Sequence, residues 1–202
     1  MIKLNWNYHC HTSYTDGSDT VEEIARRCDK LGIKEIAITE HVTKEPDYDF
    51  DRLLLDIRRA DEQFNVRVLS GIEAKILPDG TLDCPDDIKE KVDIIIGSVH
   101  SLNNMTEQEA YEKLVETDCM IIGHPQFFNE KVISSLKRTG KVVELSGRYK
   151  QPDDVINALR SAGLLFSIGL DSHRLEDLEA MDEMAVLIEK FGLQDSLWRF
   201  SD

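Results

Sequence analysis

Residues 92–100 read VDIIIGSVH, and residues 164–173 read LLFSIGLDSH. Each is a short apolar run, rich in Ile or Leu, that ends on a histidine. The apolar heart of each run has the length of a strand rather than of a helix. The same pattern recurs in 2-IKLNWNYH, 33-IKEIAITE, 66-VRVLSGIEA, 119-CMIIGH and 141-KVVELS. Between the runs lie stretches with helical spacing, at residues 20–31, 50–64, 85–91, 106–117, 129–139, 152–162 and 175–191. Thr20 and Asp153 stand where helix N-caps belong, and Gly32, Gly140, Gly163 and Gly192 where C-caps belong. The alternation predicts an α/β fold, a parallel sheet covered by helices. No linker or low-complexity tract divides the chain, so residues 1–202 are expected to form a single domain.

An open sheet and a closed barrel both satisfy that alternation, and the polar residues decide between them. His9 and His11 follow the first run, His41 follows AITE, His100 follows IIIGSV, His124 follows MIIG and His173 follows FSIGLDS. Glu73 ends the third run, and Asp171 precedes His173 by two residues. An open sheet would spread these groups along one edge. A parallel barrel gathers its C-terminal strand ends on one face, the face that carries chemistry. The expectation is therefore a (β/α)7 TIM-like barrel with every histidine at its mouth.

Local spacing gives those residues a purpose. In His9-Cys10-His11 and Asp171-Ser172-His173, residues i and i+2 of an extended chain point to the same side. Two ligands can then reach one ion, while Cys10 and Ser172 turn into the packing. Imidazole with carboxylate, and no thiolate, suits Zn, Mn or Fe. His9, His11, Asp16, His41, Glu73, His100, His124, Asp171 and His173 are too many ligands for one ion, so two or three divalent metal ions are implied. Asp16 lies in TDGSDT, which is also a turn and helix-start sequence.

Composition narrows the partners. With 24 basic against 39 acidic side chains, the formal charge is −15. Nucleic acid is usually held by neutralising phosphates with Lys and Arg, so long nucleic acid is a poor default partner. A small anion fits if bound metal reverses the sign locally. No apolar run is long enough to span a membrane, and MIKLNWNYHC lacks a secretory pattern. Cys10, Cys28, Cys84 and Cys119 are scattered, as reduced thiols of a cytoplasmic protein are.

The set 9-HCHTSYTDG, 39-TEH, 71-GIEAKILPDGTLDCPDD, 97-GSVHSL, 123-GHP and 169-GLDSH resembles the PHP (polymerase and histidinol phosphatase) family, in the family's motif order. The middle section is most similar to the PHP domains of bacterial X-family DNA polymerases and to small stand-alone PHP phosphatases. The resemblance implies a distorted (β/α)7 barrel of PHP type. It also implies three ions: one held by His9, His11, Glu73 and Asp171, a second by Glu73, His100 and His124, and a third by Asp16, His41 and His173, with Glu73 bridging the first two. The segment after GSVH is shorter than in the histidinol phosphatases, which counts against histidinol phosphate as the substrate.

The activity so implied is hydrolysis of a phosphate ester, a small phosphomonoester or nucleotide, by a hydroxide shared between two ions. Glu73, His100, Asp171 and Arg148 are then the catalytic set. Arg148, in 144-ELSGRYK, has forked donors suited to a phosphate oxygen pair, and its SGR context resembles the segment that supplies a phosphate-binding arginine in histidinol phosphatases. Lys75, two residues past Glu73, is a weaker candidate for the same mouth, and Arg174 is expected to point elsewhere. The alternatives are a nuclease trimming 3′ ends, a metal-dependent amidohydrolase acting on a C–N bond, and a barrel without activity that serves as an interaction module.

Overall fold

The computed structural model describes residues 2–200. Its sheet has seven parallel strands in sequence order: β1 Trp6–Asn7, β2 Glu35–Val42, β3 Arg67–Lys75, β4 Ile94–Ser98, β5 Ile121–Ile122, β6 Val142–Ser146 and β7 Phe166–Gly169. Helices α1 Val21–Leu31, α2 Phe50–Gln63, α3 Asp86–Lys89, α4 Glu107–Leu114, α5 Glu130–Thr139 and α6 Asp153–Ser161 alternate with them, and α7 Met181–Phe191 follows β7. The sheet curls until its edges meet. Tyr8 N–H donates to the Ile168 carbonyl at 2.9 Å and His11 N–H to the Ser172 carbonyl at 2.8 Å. The result is the expected barrel, nearly closed.

The strands are apolar because both faces are covered. Ile36, Ile38, Ile72, Ile94, Ile96, Ile121, Ile122, Phe166 and Ile168 are fully buried. Thr20 caps α1 in a capping box with Glu23, an arrangement worth about 1 kcal/mol. Asp153 does not cap α6. Pro152 takes the N-cap position without a side-chain bond, and the Asp153 carboxylate instead meets Lys190 Nζ at 2.6 Å.

Two strands are shorter than their apolar runs. At β1 the Asn7 side-chain oxygen accepts from Leu170 N–H at 2.8 Å, which replaces a ladder bond along the closing seam. At β5 the chain reaches His124 with φ +27°, which turns it out of the sheet. Among the described residues, no helix is long and apolar enough to cross a membrane. The four cysteines are free and buried.

Candidate metal centre

The C-terminal strand ends bring all nine expected ligands together. In the β2–β3 register His41 stands opposite Glu73, and paired residues of a parallel ladder share a face. The buried Glu73 carboxylate is the hub. Its Oε1 lies 2.9 Å from His100 Nε2 and 2.8 Å from His124 Nε2. Its Oε2 lies 3.4 Å from His9 Nε2, 3.5 Å from His11 Nε2 and 3.0 Å from His41 Nδ1. Asp171 Oδ1 reaches His11 Nε2 at 3.4 Å and His173 Nδ1 at 3.5 Å. Asp16 Oδ2 stands 3.5 Å from His41 Nε2 and 3.2 Å from His173 Nε2. Both His124 and Asp171 hold left-handed backbone, φ +27° and +52°. That conformation costs about 1–2 kcal/mol per residue.

The donor chemistry fits divalent cations. His9 Nε2 faces His11 Nε2 at 3.0 Å, and His100 Nε2 faces His124 Nε2 at 3.3 Å. Two imidazole lone pairs repel at such spacings unless a proton or a cation lies between them. Imidazoles bound to one ion at about 2.0–2.1 Å keep a similar separation. His11 Nδ1 is buried without a partner and lies 4.0 Å from Asp16 Oδ1. Among the described residues, three groups have ligand atoms all within 4.8 Å of one another: His11, Asp16, His41 and His173; His9, His11 and Glu73; and His41, Glu73 and His100. His41 joins two of them, since its nitrogens face Glu73 and Asp16 separately.

Protonation in the ion-free cluster follows the same charges. Burial pushes the Glu73 and Asp171 carboxyls up, but the surrounding imidazoles hold Glu73 well below, and Asp171 below, the usual carboxylate range. Burial works against a charged His9, yet Glu144 and Glu73 outweigh it and raise its pKa well above the ordinary value. Burial and the neighbouring His9 take His11 down to about 4. His41 and His124 are both raised, because the Glu73 carboxylate beside each outweighs burial.

The sequence matches the PHP domain family over residues 7–171. The chain belongs to the PHP domain family. Its relatives include the DNA polymerase/3′-5′ exonuclease PolX of Bacillus subtilis, 29% identical over 89% of this chain but only 36% of that protein. This PHP chain thus spans about a third of that relative's length. A protein of Thermoanaerobacter sp. named as a probable phosphatase is 26% identical over 97% of this chain and 90% of its own length. Among solved structures, histidinol phosphate phosphatase from Lactococcus lactis, determined with zinc, L-histidinol and phosphate, superposes with a TM-score of 0.73. It is 18% identical and covers 94% of this chain and 95% of its own, a likeness of fold.

Above the cluster opens a cavity of about 690 Å³ whose lining includes Asp16, Glu73, His100, His124, Arg148, Tyr149, Leu102 and Tyr111. Arg148 Nη1 lies 2.9 Å from His173 Nδ1, and the Asp171 carbonyl lies 3.0 Å from the same nitrogen. The carbonyl needs a proton on Nδ1 and the guanidinium needs a lone pair there, so only one of these bonds forms at a time. Lys75 does not line this mouth; its ammonium pairs with Asp83 at 3.1 Å. Arg174 also stays out of the mouth and starts the turn Leu175–Ala180.

Two acidic residues of this PHP site escaped the sequence reading. Glu40, next to His41 and fully buried, accepts from Thr12 N–H at 2.8 Å and from the Thr15 hydroxyl. It ties down the turn that carries Asp16. That turn packs tightly: a Cβ on Gly17 would sit 2.5 Å from the His11 carbonyl oxygen. Burial pushes the Glu40 carboxyl up despite those bonds. Glu144, buried on β6, accepts from His9 Nδ1–H at 2.6 Å and from the His124 backbone N–H. The signal was available, since a carboxylate between apolar strand neighbours requires buried partners.

Proposed function

We propose that this chain is a metal-dependent phosphoesterase that hydrolyses a small phosphomonoester or nucleotide, with residues 1–202 acting as one domain. The observation that carries the proposal is the division of the Glu73 carboxylate. One oxygen serves His100 and His124, and the other serves His9, His11 and His41. A carboxylate placed in this way bridges two cation sites. His9, His11, Glu73 and Asp171 would hold the first ion, Glu73, His100 and His124 the second, and Asp16, His41 and His173 the third. Bound divalent ions of this kind, Zn, Mn or Fe, supply an acidified water as nucleophile and neutralise phosphate charge.

The chain's own residues do the remainder. Arg148 binds the phosphate as its guanidinium leaves His173, and its fork matches two phosphate oxygens. His173, with Nδ1–H donated to the Asp171 carbonyl, keeps its other nitrogen unprotonated. Tyr149 stands 5.0 Å from the His124 ring and is half exposed. With Leu102 it gives the leaving group an apolar wall. Among the described residues lining the cavity, Arg148 is the one cation besides the histidines. One guanidinium suits one phosphate, whereas a strand of nucleic acid calls for a row of cations. The probable phosphatase among the relatives supports the same reading.

The 3′-end nuclease remains the second reading, because the PolX relative is named as a 3′-5′ exonuclease. A substrate panel with Zn²⁺, Mn²⁺ and Fe²⁺ separates the two. The proposal expects p-nitrophenyl phosphate or nucleotides to turn over faster than bis-p-nitrophenyl phosphate or a short oligonucleotide. It also expects His100→Ala and His124→Ala to abolish that turnover. Wild-type activity in both variants would refute it.

A further inference from the structure

Glu144 is a buried carboxylate at the mouth of the barrel that touches no expected reacting atom. Glu144 projects inward from β6 beneath the cluster, and its two oxygens have different clients. Oε1 accepts from His9 Nδ1–H at 2.6 Å, so that Nε2 is the ring nitrogen that faces the centre. Oε2 accepts from the backbone N–H of His124, the residue whose left-handed backbone ends β5. We propose that Glu144 is a positioning residue that sets the His9 tautomer with one oxygen and fixes the turned-out backbone of His124 with the other, so that a single carboxylate aligns ligands of both sides of the Glu73 bridge. The inference rests on the metal-centre reading above.

A neighbouring glycine makes the space for this clamp. A Cβ on Gly169 would lie 1.8 Å from Glu144 Oε1 and 2.9 Å from the His9 Cβ. Those distances are impossible, so any side chain at this point of β7 expels the carboxylate from its place. Gly169 is thus tied to Glu144 by shape rather than by a turn.

The chemistry also says why an amide cannot stand in. Both clients donate N–H, and only a carboxylate offers two acceptor oxygens. In Glu144→Gln the single oxygen serves one client and the NH₂ confronts the other. If the NH₂ faces His9, Nδ1 must become the acceptor and the ring proton moves to Nε2, where it blocks the lone pair aimed at the cluster. If it faces His124, two donors oppose each other at the strained turn. Partners that orient metal-binding histidines typically change metal affinity by about 10–100-fold when removed.

The test is a Zn²⁺ titration of the chelator-treated full chain against a chromophoric chelator, with melting of each ion-free protein and the histidine tautomers read from ¹⁵N shifts. Glu144→Gln and Gly169→Ala should each weaken Zn²⁺ binding about 10–100-fold. Both ion-free variants should still melt cooperatively, and at alkaline pH, where the His9 ring carries a single proton, that proton should shift from Nδ1 in the wild type toward Nε2 in Glu144→Gln. Wild-type affinity in either variant overturns the proposal. So does loss of cooperative melting in both, which would make Glu144 a folding requirement instead. His124→Ala is the control for the parent reading. If it binds Zn²⁺ as the wild type does, the metal centre itself is wrong; if it loses Zn²⁺ while Glu144→Gln does not, only the clamp is wrong.

Discussion

Glu40 offers a prediction whose size follows from its surroundings. In Glu40→Ala the Thr12 backbone N–H loses its 2.8 Å acceptor in a place where water does not reach, since Thr12 is also fully buried. An orphaned buried donor costs about 1–3 kcal/mol, and the one lost methylene adds about 0.8 kcal/mol. Release of a carboxylate from burial offsets part of that, leaving a loss of about 1–3 kcal/mol. For a chain of this length that is roughly 2–12 °C of melting temperature. Glu40→Gln should behave differently. Its oxygen can accept from Thr12 N–H while its NH₂ donates to the Thr15 hydroxyl, which also accepts. Both bonds survive and the buried charge is gone, so stability should stay within about 1 kcal/mol of the wild type. The pH dependence carries the same sign. Burial raises the Glu40 carboxyl in the folded chain, so the folded state binds more protons there than the unfolded state. Its contribution to stability therefore falls as pH rises from the unfolded value through the folded one, and Glu40→Gln should lack that slope. Calorimetric melting of the ion-free proteins across acid to neutral pH measures all three. A glutamine variant as damaged as the alanine variant would refute the hydrogen-bond reasoning, and an alanine variant melting with the wild type would refute it altogether.

Other outcomes follow from the same geometry. Arg148→Ala should raise KM for a phosphomonoester by about 10–150-fold, the equivalent of one charge-assisted hydrogen bond of about 1.5–3 kcal/mol, with kcat changed far less; steady-state kinetics would show an unchanged KM if the guanidinium plays no part. Metal affinity should rise with pH. His9, His41 and His124 have raised pKa values in the ion-free chain, so ions must displace their protons. For the ion-free chain itself, those protonated imidazoles stabilise fully below the unfolded value and the gain is lost as pH climbs through the raised ones. Calorimetric Zn²⁺ titration at about pH 6.5 and about pH 8, in buffers of different ionisation heat, counts the released protons, and equal affinity at both would contradict the assignment. Tyr8→Phe should cost about 1–3 kcal/mol with Zn²⁺ loading unchanged, because the buried Tyr8 hydroxyl bonds Glu35 and accepts from Phe200 N–H at 3.0 Å at the barrel's floor. Reduced loading in that variant would show that floor and mouth are coupled.

The barrel was legible in the sequence because every apolar run but KVVELS closes on or beside a group that has no place in a core. VDIIIGSVH and LLFSIGLDSH state their strand and its functional end together, and i, i+2 spacing states which side chains converge. Strand lengths were less legible. The pairing of β1 depends on Asn7, a residue 163 positions away from its partner Leu170, and β5 stops at a backbone angle of His124 that no residue type announces. The six histidines stood out because every one of them ends a strand, where a single histidine would read as ordinary packing, while Asp16 also fitted a turn. Glu40 and Glu144 did not stand out, since each reads as one more acidic residue in a chain that has 39. What sets them apart is burial against N–H donors from distant segments. Lys75 misled for the opposite reason. It occupies a strand end beside Glu73, but Asp83 draws its ammonium away from the mouth.

The central claim is that Glu73 bridges cation sites. Elemental analysis of the chain, purified anaerobically and compared with Glu73→Ala, tests it directly. The account predicts about two or three divalent ions per wild-type chain and a loss of more than one of them from the variant, since a single carboxylate serves two sites. A wild-type chain holding well under one ion, or a variant that retains the full complement, would contradict it.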